Sequence, residues 1–431
     1  MNAATTSRSL TAVGRVVKVA GLIAEGHGPG MGIGSTCSIL NCDGEEQLGE
    51  VVGFNDRRIM LMPYGEMRGI GPGCRIALVH DRPYVAVGDG FIGRVVDGFG
   101  SPIDGGAPIL SNVHYPLYGR VVNPMERSSI NEIADVGVGA INTLITIGQG
   151  QRMAIMSGSG VGKSVLMGMM ARHTNADVSI IAMIGERGRE VKDFVEKTLG
   201  KGGLNKSVVV AATSDNSPLI RMRGAYFATT LAEYYRDCGK NVLLVMDSIT
   251  RFAMSSRDVG LAVGEPPTAR GYTPSFFAQL PKLLERAGNI EGKGTITGIY
   301  TVLVEGDDVN DPVGDAVRSV VDGHIVLSRD LANKGHFPAI DVTASVSRVM
   351  RDIIDANHMK LAQRLREVLA TYRGAEDLIS IGAYVEGSDP QIDYAKKMIN
   401  QINAFLRQNV DETVPVSVGV SRLETLFEGS E

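Results

Sequence analysis

Tryptophan is absent, and aromatic residues make up only 5% of the 431 residues. Proteins that grip single-stranded nucleic acid stack bases on aromatic rings along a basic groove. Residues 11–85 offer only Phe54, Tyr64 and Tyr84 for that purpose, and the net charge of the chain is −5. Nothing here holds a phosphate backbone by bulk charge, so a nucleic-acid partner and an RNA-translocating helicase are both disfavoured. Long apolar runs are also missing. None approaches the roughly 18 residues that span a bilayer, and the opening "MNAATTSRSL" lacks the apolar centre of a secretory signal. The expectation is a cytoplasmic protein. Cysteine is sparse: Cys37, Cys42, Cys74 and Cys238 form no C-x-x-C pair and have no histidine cluster beside them. Structural zinc is disfavoured, and scattered reduced thiols acting as small hydrophobes are expected. No short internal repeat or low-complexity tract is present.

What is present divides the chain into three parts. In residues 11–85, runs such as "GRVVKVAGLIAEG", "EQLGEVVGF" and "RRIMLMPYG" are rich in Val, Ile, Leu and Met and are broken by Gly and Asn-Asp turns. Short strands at that spacing predict a small β-barrel over 1–86. The Gly- and Asp-rich "VGDGFIGRVVDGFGSPIDGG" (87–106) reads as a junction. From about Gly148, "QRMAIM", "VSIIAMI", "SVVVAAT", "NVLLVM", "TGIYTVLV" and "HIVLS" are compact apolar runs separated by helical stretches such as "SPLIRMRGAYFATTLAEYYRDCG". Strands alternating with helices predict an α/β domain over 87–347, with a parallel sheet covered on both faces. After about Arg348 the strands stop. Leu361, Leu365, Val368, Leu369 and Tyr372 recur at steps of three and four, and Ile392, Met398, Ile402 and Phe405 share a side of "PQIDYAKKMINQINAFLRQ". Both are amphipathic helices, and 348–431 is read as a helical domain.

"SGSGVGKS" (Ser157–Ser164) lies between the predicted strand "QRMAIM" and the predicted helix "SVLMGMMARHT". It fits G-x-x-x-x-G-K-[ST] except that Ser157 stands where Gly is usual. Gly158, Gly160 and Gly162 still supply permissive backbone, so Ser157 at the strand end is expected to cost little. In such a loop, successive N–H groups and the helix N-terminus converge on phosphate oxygens. The nucleotide-binding stretch is Gly158, Ser159, Gly160, Val161, Gly162, Lys163, Ser164 and Val165. Lys163 would reach the β- and γ-phosphates, and the Ser164 hydroxyl would ligate Mg²⁺.

"NVLLVMDSITR" is an apolar strand ending in Asp247, about 80 residues beyond the loop. A carboxylate there orients Mg²⁺ through water; a strand-end cap is the plainer alternative. "IAMIGERGREVKDF" brings Glu186, Arg187, Arg189 and Glu190 to the carboxyl end of a buried strand, where open α/β sheets bind ligands. Glu186 either polarises an attacking water or belongs to a solvated, self-paired charge cluster. Arg348 in "SVSRVM" is either an ordinary ion-pair partner or a finger completing a neighbour's site.

These motifs, together with "GEPPTARGYTPSFFAQLPKLLERAG", "YTVLVEGDD", "DGHIVLSR" and "FPAIDV", occur in the order found in the ATPases of type III protein export, relatives of rotary ATP synthase catalytic subunits. The resemblance covers about residues 12–410, and "YRGAEDLISIGAYVEGSDP" looks most like the flagellar branch, with virulence injectisome members next. It implies a RecA-like P-loop core and a homohexameric ring that binds ATP and Mg²⁺ at subunit interfaces. It also implies Glu186 activating water, Arg187 near the γ-phosphate, Asp247 as the Mg²⁺ acid, and Arg348 donated by the next subunit. Phe337 would lie beside adenine, with a core aromatic as the alternative. Implied partners are a central stalk, a regulator, export substrates and chaperones, at the cytoplasmic face of the inner membrane beside the export gate. A rotary ion-translocating catalytic subunit shares the chemistry; a nucleotide-binding protein without turnover is disfavoured, because the loop, both carboxylates and the finger candidate are all present. The lead before the barrel is short, about ten residues, a departure from the longer N-terminal extension with which many flagellar relatives bind a regulator.

Overall fold

The computed structural model describes residues 13–28, 30–304 and 311–428. The expectation about the leading tail and the "EGDD" half of "YTVLVEGDD" lie outside the described residues.

Strands β1 (Val13–Ala20), β2 (Ile23–His27), β3 (Thr36–Leu40), β4 (Glu46–Asn55), β5 (Arg58–Pro63) and β6 (Arg75–His80) close into a barrel in the order β1-β2-β5-β4-β3-β6. Closure leaves no unpaired edge to recruit other strands. Val16, Ala24, Cys37, Ile39, Val51, Leu61 and Ile76 fill the interior. Strand β1 passes close to the end of β2 at Gly14, where a Cβ would sit 1.9 Å from the His27 carbonyl oxygen. A buried Glu50 carboxylate ties the barrel to the segment beyond it. It accepts hydroxyl hydrogen bonds from Tyr64 and Tyr118, each at 2.8 Å.

Beyond the barrel, β7 (Tyr84–Val87) pairs with β9 (Val113–Pro116). The stretch read as a junction contributes β8 (Val95–Val96), which forms one edge of the main sheet. That sheet also contains β10 (Arg152–Ser157), β11 (Val178–Ile184), β12 (Ser207–Ala212), β13 (Asn241–Asp247), β14 (Gly288–Asn289), β15 (Thr295–Leu303), β16 (Gly323–Leu327) and β17 (Ile340–Ser347). Its order is β17-β16-β10-β15-β13-β11-β12-β8, with β14 paired to β15. The pairs from β16 to β8 are parallel, while β14 and the edge strand β17 run antiparallel.

The continuous apolar runs reflect burial on both faces. Alternate residues of one strand serve separate cores: Ile155, Ile181 and Val245 on one side, Met156, Ala182 and Leu244 on the other. Helices cover both faces, among them Lys163–His173, the twenty-residue Pro218–Asp237 and Ile249–Ala262.

The chain ends in helices Ala356–Ser380, Pro390–Leu406 and Val416–Phe427. Asp355 and Asp389 cap the first two by accepting backbone N–H bonds. Leu365, Val368 and Leu369 are buried, and Leu361 and Tyr372 pack against them, as the three-and-four spacing predicts. Among the described residues no helix is long and apolar enough to cross a membrane.

Candidate active site

The candidate catalytic residues lie at the carboxyl ends of neighbouring parallel strands, where one face of the sheet opens into a crevice. Strand β10 delivers the phosphate loop, β11 delivers Glu186, and β13 ends on Asp247, with β15 lying between β10 and β13. The loop needs its glycines: Gly160 and Gly162 have φ of +79° and +93°, in the left-handed region that penalises any Cβ. Gly162 then starts the Lys163–His173 helix, whose first N–H groups are left without intrahelical acceptors. Ser157 ends β10 fully buried, its hydroxyl without a hydrogen-bond partner.

Gly158, Ser159, Gly160, Gly162, Lys163, Ser164 and Val165 line a cavity of about 590 Å³, joined by Glu186, Arg187, Glu190, Arg251 and Arg329. Lys163 Nζ donates to Asp247 Oδ1 and stands 3.8 Å from Glu186 Oε1. Asp247 is 1% exposed, and its Oδ1 also accepts from the Thr301 hydroxyl at 2.7 Å. Asp247 is therefore a buried carboxylate held by two donors, Lys163 and Thr301, and it meets the cavity through Lys163.

Glu186 lines the cavity with its side chain 13% exposed, and it interacts with Glu190 of the neighbouring charge cluster. Burial and the neighbouring Asp247 push its pKa up to about 7, against the opposing pull of Lys163. Its Oε1 is buried with no hydrogen-bond partner. An orphaned buried carboxylate oxygen costs stability and calls for an absent donor. A water or ligand hydroxyl in the cavity would supply one. Arg187 differs. Its side chain is 78% exposed at the cavity rim, with Nη1 3.5 Å from Glu190.

Val161 and Phe337 sit on a second, apolar cavity of about 290 Å³ that adjoins the loop through Gly162 and Val165. Phe337 is 47% exposed. The helical domain closes the same cavity with Gln408, Asn409 and Val410. Arg348 lies elsewhere. It is exposed at the end of edge strand β17, its Nη1 3.5 Å from the Val321 carbonyl, and it is not among the residues lining the phosphate cavity.

Arg251, Thr301 and Arg329 were not singled out from the sequence. Arg251 has an orphaned Nε, and its side chain fills the space where a Gly185 side chain would go: a Cβ there would lie 2.8 Å from Arg251 Cβ. Its only sequence signal is its place four residues after Asp247, one turn into the next helix.

Residues 137–347 match the nucleotide-binding domain of the ATP synthase alpha/beta family, and residues 12–77 match that family's β-barrel domain. Residues 354–425 match the T3SS EscN ATPase C-terminal domain. The "Flagellum-specific ATP synthase" of Bacillus subtilis is 50% identical over 97% of this chain and 96% of its own length. The chain belongs to the flagellar and type III secretion ATPases. Other members of this family are similarly near: the "Flagellum-specific ATP synthase" of Pseudomonas aeruginosa is 48% identical over 97% of this chain and 94% of its own length. The "Type 3 secretion system ATPase" of Xanthomonas euvesicatoria is 47% identical over 93% and 90%. The assembled ATPase EscN of the enteropathogenic E. coli type III secretion system superposes with a TM-score of 0.89. It is 42% identical over 96% of this chain and 99% of its own. Like these flagellar and type III secretion ATPases, the chain is an ATPase with an ATP-binding α/β core. The match over 354–425 sets it in the export branch rather than among ion-translocating rotary subunits.

Proposed function

We propose that this chain is the ATPase of a flagellar type III export apparatus, acting as a cytoplasmic homohexamer whose active sites are completed by adjoining copies. The observation that carries the reading is the meeting of Lys163 and Glu186 in one loop-lined cavity at the strand ends, with Lys163 also paired to the buried Asp247. The flagellar assignment rests on relatives at 48–50% identity over nearly the whole chain. A ring with a central stalk is supported by the solved EscN structures, one assembled and one bound to its stalk EscO. Peripheral contact with the inner-membrane gate, and binding of a regulator, substrates and chaperones, come with membership of that apparatus.

In this reading Lys163 leaves Asp247 when triphosphate enters and neutralises the β- and γ-phosphates. Glu186, in its ionised form, accepts the proton of the attacking water as oxygen bonds to the γ-phosphorus and the bridging P–O bond breaks. Arg187 and Arg251 face the terminal phosphate, and Arg348 of the next copy supplies the last positive charge. Mg²⁺ fits the residues present. Among the described residues no cluster of three His, Cys, Asp or Glu side chains forms a cage. Mg²⁺ takes one or two protein oxygens and completes its shell with phosphates and water. Ser164 would ligate the ion and Asp247 would orient it through water, and the ion when bound would neutralise phosphate charge.

The interface reading is tested by dilution. Specific ATPase activity is expected to rise with protein concentration as rings form; a flat profile argues for a site complete within one chain. Phe337→Ala is expected to raise KM for ATP about tenfold with little change in kcat, since base–aromatic stacking contributes about 1–3 kcal/mol. An unchanged KM removes the ring from the adenine site.

A further inference from the structure

Behind the apolar nucleotide cavity lies a smaller one of about 160 Å³, walled by β17, the Arg329–Asn333 helix, and helices Ala356–Ser380 and Pro390–Leu406. At about 30 Å³ per water it holds a few waters or one tetrahedral oxyanion. Its walls are largely apolar, with three cations, Lys334, Arg373 and Arg407, and one carboxylate, Glu376, among them. Lys334 is matched by Glu376 at 3.0 Å, and Arg373 by Asp341 at 2.8 Å. Arg407 also lines the cavity and has no ion pair among the described residues.

His336 supplies the second observation. It is 3% exposed, lines the cavity, and its Nε2 is buried without a hydrogen-bond partner. Burial, then Arg407 and Arg373, hold its pKa below the usual value, so the ring is neutral and one Nε2–H tautomer offers a donor. An unmatched guanidinium and an orphaned donor facing one small cavity favour an anion.

The lining of this cavity adjoins that of the apolar nucleotide pocket along the chain. His336 precedes Phe337 and Arg407 precedes Gln408, and both of these neighbours line the apolar nucleotide cavity. The two segments are tied directly, the Gln408 N–H donating to the Phe337 carbonyl at 3.1 Å. An anion that draws Arg407 and His336 inward therefore acts on the aromatic wall of the nucleotide site.

We propose that this cavity binds a phosphate-class dianion, either inorganic phosphate released by the enzyme's own reaction or a small phosphomonoester, and that its occupancy tightens nucleotide binding. The inference concerns residues outside the phosphate loop and does not depend on the ring reading. To keep phosphate out of the catalytic cavity, the wild-type chain is saturated with a β,γ-imido ATP analogue and Mg²⁺. Inorganic phosphate, and separately glycerol phosphate, is then titrated against chloride at matched ionic strength while thermal unfolding is monitored.

A saturable rise in melting temperature specific to phosphate or its ester is expected, and the ligand acting at lower concentration names the source. The exposed Arg407 allows a mild variant: Arg407→Gln should melt normally without anion and lose the rise, and Arg407→Lys should keep part of it. Phosphate should also strengthen binding of a fluorescent ADP analogue by about fivefold or more in the wild type, the scale of an ordinary coupling between sites, but not in Arg407→Gln. Absence of a saturable rise with either anion, or a rise of equal size in Arg407→Gln, overturns the site.

Discussion

Glu186→Gln is expected to bind ATP as tightly as the parent chain and to hydrolyse it about 100- to 10,000-fold more slowly, the usual contribution of a positioned general base. The amide keeps the volume and one acceptor oxygen of the carboxylate, so the cavity that admits triphosphate is preserved. What it cannot do is take a proton. Binding rests on Lys163 and the loop N–H groups, which the substitution does not touch. Fluorescent-nucleotide titration and steady-state phosphate release separate the two effects. Full turnover in the variant would remove Glu186 from the reaction.

The raised pKa adds a sign that can be checked. Because the nucleotide-free chain holds the Glu186 proton up to about 7 instead of the usual 4.5, the folded state binds more protons than the unfolded one between those values. Unfolding free energy contributed by this group therefore falls as pH rises through that window. The stabilising contribution is present at the acid end and is lost above about 7. The reaction runs the opposite way, since it needs the ionised carboxylate: kcat/KM should climb with pH through the same region. Glu186→Gln should flatten both profiles. A pH–rate curve of unchanged shape in the residual activity of the variant would assign the ionisation to another group.

Much of this cavity was legible in the sequence because its parts are local. A phosphate loop is a strand, three glycines and a helix start in consecutive residues, and two of those glycines, Gly160 and Gly162, take up positive φ. Asp247 could be singled out because it ends an apolar strand about 80 residues beyond the loop, although a strand-end cap gives the same pattern. The doubly buried sheet announced itself through unbroken apolar runs, and the terminal helices through their spacing of three and four. The features that escaped notice depend on register across strands and on contacts between segments far apart in the chain. Thr301 reaches Asp247 only because β15 is inserted between β10 and β13. Strand β8 is two residues long and sits in a Gly- and Asp-rich stretch, so no periodicity could betray it. Arg251 looks like any helical arginine until Gly185 leaves room for its stem. Phe337 was ambiguous between core and site, because sequence gives the type of a residue and not its exposure.

Arg348→Ala is expected to leave nucleotide binding to the isolated chain unchanged and to cut ring turnover by about a thousandfold or more, the contribution attributed to a finger that stabilises transferring phosphoryl charge. The geometry behind this is an absence from one place. Arg348 is exposed on the outermost strand, β17, with only a carbonyl 3.5 Å away, and it does not line the cavity of its own chain. A guanidinium with no carboxylate partner among the described residues, at the edge of a sheet, is free to enter a neighbour's site when copies assemble. Loss of activity alone would not separate that role from a structural one, so the decisive measurement mixes two inactive proteins. In a ring built from Arg348→Ala and Glu186→Gln subunits, some interfaces pair the intact Glu186 of one copy with the intact Arg348 of the next. Those interfaces are complete, and mixed rings should recover part of the wild-type rate, in proportion to their random share. No recovery after verified co-assembly would mean that both residues serve the same chain, and the shared site would have to be abandoned.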